Sequence, residues 1–299
     1  MKILSIHYSQ TGQLTQIMEQ ILSPIKKCFT IDEVRFTDND AYTFPWGKKN
    51  FFDTMPETVL MKKMPLSPIH YQEEKYDLVI FGFQSWFLSL SRPCSSLLQD
   101  DEFKKRTRGA KFITVIGARN MWVNAFLDSK KLIEENGCKI IGNIPLVDRN
   151  ANYISAITIQ YWVFTGKKDK MWGIFPKPGI SEEDILFSTK YGEIICEKLL
   201  SKQENSLQKA ILDENKINIP WDVLFIEKRG KKMFRLWASL ILNKGKNPFK
   251  RNFFLFLYRI YLYVALFTIS PIVISIYALV FRPFMLKSES QKKNVILHF

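Results

Sequence analysis

Short apolar runs alternate with segments whose apolar residues fall at helical spacing over the first two thirds of the chain. Lys2–Tyr8 (KILSIHY) reads as a buried strand. Leu14, Ile17, Met18, Ile21 and Leu22 then recur with helical period, and Pro24 marks the end of that helix. Ile31–Phe36 is predicted as a second strand. Residues 38–75, rich in aromatics, prolines and lysines, are predicted as an irregular insertion. Tyr76–Phe83 (YDLVIFGF) is the clearest buried strand, and Pro93–Leu98 starts a short helix. Lys111–Gly117 is a fourth strand. Asn120–Asn136 is a helix closed by Gly137, and Cys138–Leu146 a fifth strand. After a second insertion at about 148–178, Ser181–Leu200 is predicted as a helix, with Ser181 as N-cap and Asp184 in its first turn. Strands alternating with helices imply an α/β fold with a parallel sheet covered on both faces.

Charge divides the chain. Residues 201–299 carry 17 Lys and Arg against 6 Asp and Glu, whereas residues 1–200 carry 26 against 23. A near-neutral body followed by a basic tail points to an acidic partner for the tail, either a lipid surface or nucleic acid. The hydrophobic share of 46% excludes a disordered chain. Cys28, Cys94, Cys138 and Cys196 are widely spaced and lack a histidine pair, which argues against a metal site and a disulfide framework and suits a reduced, cytoplasmic interior. Met1–Tyr8 reads directly as strand, so no signal peptide is expected at this end.

The first strand runs into Ser9-Gln10-Thr11-Gly12-Gln13-Leu14-Thr15. A loop passing from a strand end into a helix start aims backbone N–H groups and the helix dipole at one place, which binds phosphate without a lysine. Ser9 and Thr11 can add hydroxyl donors, and Gly12 allows close backbone approach. The segment resembles the phosphate loop of flavodoxin-like domains, S/T-x-T-G-x-T, with one departure: Leu14 displaces Thr15 by a position. A plain polar strand–helix turn is the alternative reading.

The resemblance implies a flavodoxin-like five-stranded sheet in the order 2-1-3-4-5, with flavin mononucleotide (FMN) outside the carboxyl ends of the strands. Two further loops then fall at the ring site. Gln84-Ser85-Trp86-Phe87, leading through Arg92-Pro93 into a helix, resembles the first flavin-ring loop, with Trp86 as the stacking candidate. Trp86 and Phe87 could instead be buried loop anchors. Ala118-Arg119-Asn120-Met121-Trp122 resembles the second ring loop, where Arg119 would hold negative charge near the ring, bind an acidic substrate group, or simply sit at the surface. The 148–178 insertion offers Asp148, Arg149, Tyr153 and Trp162 as candidates to cover a pocket, each equally readable as packing. The catalytic candidates are Arg119, Tyr153 and His70, and none stands out as a base: His70 and Tyr153 are options, and His7 lies within a strand and reads as structural.

Residues 201–299 form a basic, hydrophobic extension. Ile260–Phe281 is uncharged for 22 positions, long enough to span a bilayer, with Pro271 near its middle and Arg259 and Arg282 at its ends. Cations on both flanks give no orientation but suit a segment lying in or dipping into an anionic leaflet, through about 253–286. Phe234–Leu242 is amphipathic and suits an interfacial helix. A pair of buried helices is the competing reading. The interleaving of basic residues with long apolar runs disfavours nucleic acid.

The chain's three loops (YSQTGQL, FGFQSWFLSLSRPC and GARNMW), followed by a basic hydrophobic tail, resemble the bacterial dialkylresorcinol condensing enzymes. Those proteins accompany a ketosynthase-like partner in dialkylresorcinol, flexirubin and aryl-polyene pathways. The resemblance implies FMN-dependent oxidative aromatisation of a dialkyl cyclohexanedione, with a greasy alkyl-chain substrate and a membrane-associated cytoplasmic domain. Two other functions fit the same features: a membrane-associated NAD(P)H:quinone oxidoreductase, and a non-catalytic partner of the ketosynthase. No metal is expected.

Overall fold

The computed structural model describes all residues except 40, 41 and 215. Six strands form the sheet: β1 (Ile3–His7), β2 (Ile31–Arg35), β3 (Leu78–Trp86), β4 (Ser89–Leu90), β5 (Lys111–Ala118) and β6 (Lys139–Val147). Five of them run parallel in the order β2-β1-β3-β5-β6, and the two-residue β4 pairs antiparallel with the end of β3. With β4 set aside this is the expected 2-1-3-4-5 order, and the fold is flavodoxin-like. β1, β3 and β5 are central and buried on both faces, which explains their unbroken apolar runs.

Helices cover both faces. On one lie α1 (Gln13–Ile25) and α8 (Glu182–Leu200), packed on Ile3, Leu78, Ile80, Ile113 and Val115. Pro24 sits in the last turn of α1, where the helix is expected to end. Ser181 caps α8 as expected, its Oγ accepting from Asp184 N at 3.1 Å. Gly192 on α8 lies so close to α1 that a Cβ there would meet the Ile21 carbonyl oxygen at 2.0 Å. One turn further on, Cys196 is bonded to Cys28, just beyond α1. The expectation of four free thiols therefore fails for this pair. Cysteines 168 residues apart in sequence become neighbours only once α1 and α8 pack, which spacing along the chain cannot show. Cys94 and Cys138 are free and buried.

The other face carries α4 (Arg92–Leu98), α5 (Asp101–Thr107) and α6 (Val123–Glu135). The predicted insertions are partly helical. The first, of which Asp40 and Ala41 lie outside the described residues, holds α2 (Lys48–Asp53) and α3 (Met55–Val59). The second holds α7 (Asn152–Thr165).

The C-terminal third folds onto this body. After α9 (Leu207–Asp213), α10 (Trp221–Lys244) docks on α6. There the buried Lys231 Nζ donates to Leu88 O at 3.0 Å and Ser89 Oγ at 2.8 Å and pairs with Asp128. Helix α11 takes up residues Pro248–His298, 51 residues that are long and apolar enough to cross a membrane. It touches the body at its start, middle and end. Arg251 pairs with Asp53 and Glu57, Tyr263 Oη donates to Gln160, and Leu297 O accepts from Gln208 Nε2 at 2.8 Å. The helix is not straight. Tyr277 Oη lies 3.0 Å from Glu289 Oε1, although 12 residues of straight helix would separate them by about 18 Å. The bend falls between them, where Pro283 removes a backbone donor.

Candidate functional site

The carboxyl ends of β1, β3 and β5 open on one cavity of about 310 Å³. At one end is the β1–α1 loop. Gly12 has φ +81°, left-handed, and space for a Cβ is open there. The N-cap residue Gly12 brings no side chain to cap α1 and the first turn carries no acid, so the N–H groups at the start of α1 face an anion-ready loop. Gln10 and Thr11 line the cavity, and Gln84 Oε1 accepts from Gln10 N at 2.9 Å. Ser9 is buried, with its Oγ 3.4 Å from Thr15 N. The Thr15 hydroxyl does not join this loop: it lies 3.0 Å from His7 Nε2. Burial pushes His7 down to about 4, so it is neutral and structural.

Gln13 and Leu14 line the cavity but spend their side chains elsewhere. Leu14 is core. Gln13 holds the backbone of Ile180, beside Gly179, where a Cβ would meet both Gln13 and Trp162 at 2.8 Å. Trp162 is a buried wall residue. Asp148 fixes the same segment, accepting from Gly179 N at 3.1 Å, while Arg149 pairs with Asp184 outside the cavity.

The second loop is tighter than the sequence suggests. β3 runs on through Trp86, and Phe87 and Leu88 make a two-residue turn to β4 with φ 49° and 58°. Both residues are non-glycine in the left-handed region, a strained pair, and Lys231 holds the turn by its Leu88 carbonyl. Gln84, Ser85, Trp86 and Phe87 all line the cavity. Trp86 is embedded in an aromatic cluster, 4.5 Å between ring centroids from Trp46, 5.2 Å from Tyr42 and 5.9 Å from Tyr8. Trp46, hidden in the irregular 38–75 segment, also lines the cavity, and its buried indole N–H has no partner among the described residues. Sequence reading missed it; its place beside Trp86 depends on a long loop folding back.

At the third loop Ala118 and Arg119 reach the cavity, but Asn120 and Trp122 do not. Trp122 is fully buried core against Phe126. Asn120 Nδ2 donates to Asn152 Oδ1. Arg119 donates to Asn152 O and Oδ1, each at 2.7 Å, and to Ser155 Oγ, so it ties the loop to the start of α7. Its burial lowers it to about 10, still cationic at neutral pH. Neither other catalytic candidate reaches the cavity: His70 is exposed, and the Tyr153 ring lies tilted beside Phe267, 6.3 Å between centroids.

The far wall comes from α7, α10 and α11. Ile159, Ile226, Phe234, Leu262 and Leu266 make that lobe apolar. Arg119 and Tyr261 are the ionisable side chains on the described lining, which holds no carboxylate, imidazole, thiol or amine. Just outside it, the buried Glu227 of α10 accepts from Asn124 N at the start of α6, and burial pushes it up to about 7.

No family model matches the chain, and no curated protein matches it. Solved structures do. A flavoprotein from Lactobacillus acidophilus NCFM in complex with FMN is 18% identical, over 48% of this chain and 92% of its own, with a TM-score of 0.40. A flavodoxin from the domain Archaea is 11% identical, over 66% of this chain and 98% of its own, with a TM-score of 0.34.

Proposed function

We propose that the protein binds FMN and oxidatively aromatises a dialkyl cyclohexanedione to a dialkylresorcinol, working with a ketosynthase-like partner and associating with membrane through its C-terminal helices. The observation that carries this reading is the cavity's polarity. A helix start free of acidic residues and a left-handed Gly12 lie at one end, and an apolar lobe at the other.

The residues fit the cofactor. The N–H groups after Gly12, with Ser9 and Thr11, would hold its phosphate. Gln84, Ser85, Trp86, Phe87, Ala118 and Arg119 would surround the ring, and the unpartnered Trp46 N–H is a spare donor at the same wall. Bound FMN would supply a two-electron acceptor for hydride.

The chain's own part is binding and orientation. The apolar lobe would take alkyl chains, excluding water from the reacting ring. A cyclohexane-1,3-dione is a vinylogous acid that ionises in neutral water by itself, so a lining without an enzymic base suits this substrate. The Arg119 cation, held rigidly by Asn152 and Ser155, would favour the enolate form. The proton released to solvent on ionisation and one hydride passed to the bound flavin would together account for the two hydrogens lost, leaving a neutral cyclohexadienone that becomes the aromatic diol by a proton shift from ring carbon to oxygen.

The test has two parts. The purified protein's absorption spectrum reports bound flavin. Incubation with a dialkyl cyclohexanedione should yield the resorcinol. No conversion by FMN-loaded protein overturns the aromatase reading, and rapid NAD(P)H-dependent quinone reduction would replace it with a quinone reductase.

A further inference from the structure

A second cavity, of about 280 Å³, lies where the first half of α10 meets the bend of α11. It is strongly cationic. Lys228, Arg229 and Lys232 enter from α10, and Lys292 and Lys293 from α11. The one carboxylate in the lining, Glu289, is engaged by the Tyr277 hydroxyl at 3.0 Å and by Arg282 at 3.7 Å. Among the described residues no carboxylate pairs with Lys228, Lys232, Lys292 or Lys293. Aromatic rings hold the frame: the Arg229 guanidinium sits 3.5 Å over Phe225, and Arg282 sits 4.5 Å over Trp221. Cations gathered without counter-charge repel one another, and the concave site between them favours an anion.

The surroundings say what kind of anion. Phe249, Phe253, Phe256, Ile260, Val264 and Phe267 are exposed along α11 at three- and four-residue spacing, so they form one outward stripe. The stripe continues to Leu279, which is 80% exposed, and Phe284, which is 87% exposed, beside the cationic cavity. An anionic head with apolar tails matches a charged cavity next to an apolar stripe. Because α11 is tied to the body at Arg251, Tyr263 and Leu297, the stripe lies along the molecule rather than projecting from it.

We propose that this cavity binds the phosphate headgroup of an anionic phospholipid while α10 and α11 lie flat in one leaflet. The proposal rests on the membrane association stated above and adds its geometry and its lipid.

The experiment is flotation of the full-length protein with vesicles of phosphatidylcholine, alone or mixed with phosphatidylglycerol. Phosphatidylglycerol should raise binding about tenfold or more, and Lys232→Ala with Lys293→Ala should remove that gain. Lys232→Arg with Lys293→Arg should keep it. Lys104→Ala with Lys105→Ala, which removes the same charge from α5, should leave it unchanged. An equal loss with the α5 pair would mean diffuse charge and overturn the cavity assignment. Quenching of tryptophan fluorescence by inorganic phosphate or glycerol phosphate at low millimolar levels, without vesicles, would assign the site to a soluble anion and overturn the lipid. Proteolytic cleavage of the C-terminal helix from the far side of sealed vesicles would overturn the flat geometry. Equal binding to both vesicle types would sink the headgroup site while sparing membrane association; binding to neither would sink both.

Discussion

Gln13 and Ile180 exchange two hydrogen bonds across 167 residues of sequence: Gln13 Nε2 donates to Ile180 O at 2.9 Å, and Gln13 Oε1 accepts from Ile180 N at 3.0 Å. The pair closes one side of the cavity at the strand ends by joining the start of α1 to the segment before α8. Gln13→Ala would leave both backbone groups buried without partners, at about 1–3 kcal/mol. Urea denaturation should show that loss, and dialysis should show faster escape of flavin than from the unaltered protein.

Gly12 takes φ +81° with empty space where a Cβ would be. Substitution is therefore opposed by backbone conformation and not by crowding. Gly12→Val should be destabilised by about 1–2 kcal/mol and should turn the α1 N–H groups away from the phosphate. Full FMN occupancy in this variant would refute the loop's assignment.

Gly192 permits the close approach of α8 to α1. In Gly192→Ala the new methyl meets the Ile21 carbonyl, and the bond between Cys28 and Cys196 one turn away prevents the helices from parting at that end. A loss of about 1–3 kcal/mol is expected in chemical denaturation. Flavin content should change little, because the contact lies away from the phosphate loop.

Glu227 titrates at about 7 in the folded protein against an ordinary value of 4.5, with burial as the main cause. The unfolded chain therefore releases this proton first as pH rises, and ionisation favours unfolding. The contribution to stability is intact below about pH 4.5 and is lost as pH rises through 7, by at most about 3 kcal/mol. Glu227→Gln, which cannot ionise, should flatten the fall in melting temperature across that window. An unchanged pH profile would show that Glu227 is not the titrating group.

The sheet was legible because its central strands are buried on both faces and read as unbroken apolar runs, as in Leu78–Phe83. The strand-to-helix loop at the cavity's end was legible because it is local: Ser9 to Gly12 are consecutive. What the sequence hid is what distant segments build together. Trp46 meets Trp86 only after a long loop folds back. Lys231 reads as one more exposed cation of a basic helix, yet it is buried against Asp128 and the turn at Leu88. Trp122 reads as a candidate alongside Ala118 and Arg119, which do line the cavity, but the start of α6 turns it inward. Ile260–Phe281 shows only composition, and 22 uncharged residues suit a spanning helix and a surface helix equally. The hydrogen bonds at Tyr263 and Leu297 tie the helix to the body, a contact that composition cannot show.

Helix α11 has one side in the wall of the larger cavity and the other turned outward. Leu262, Ala265 and Leu266 face the cavity, while Ile260, Val264 and Phe267 face out from the same turns. A rigid rod cannot shift on one side only. Any tilt that a bound ring compound favours must alter affinity for whatever touches the outer stripe, and by reciprocity the outer contact must alter affinity for the ring compound by the same factor.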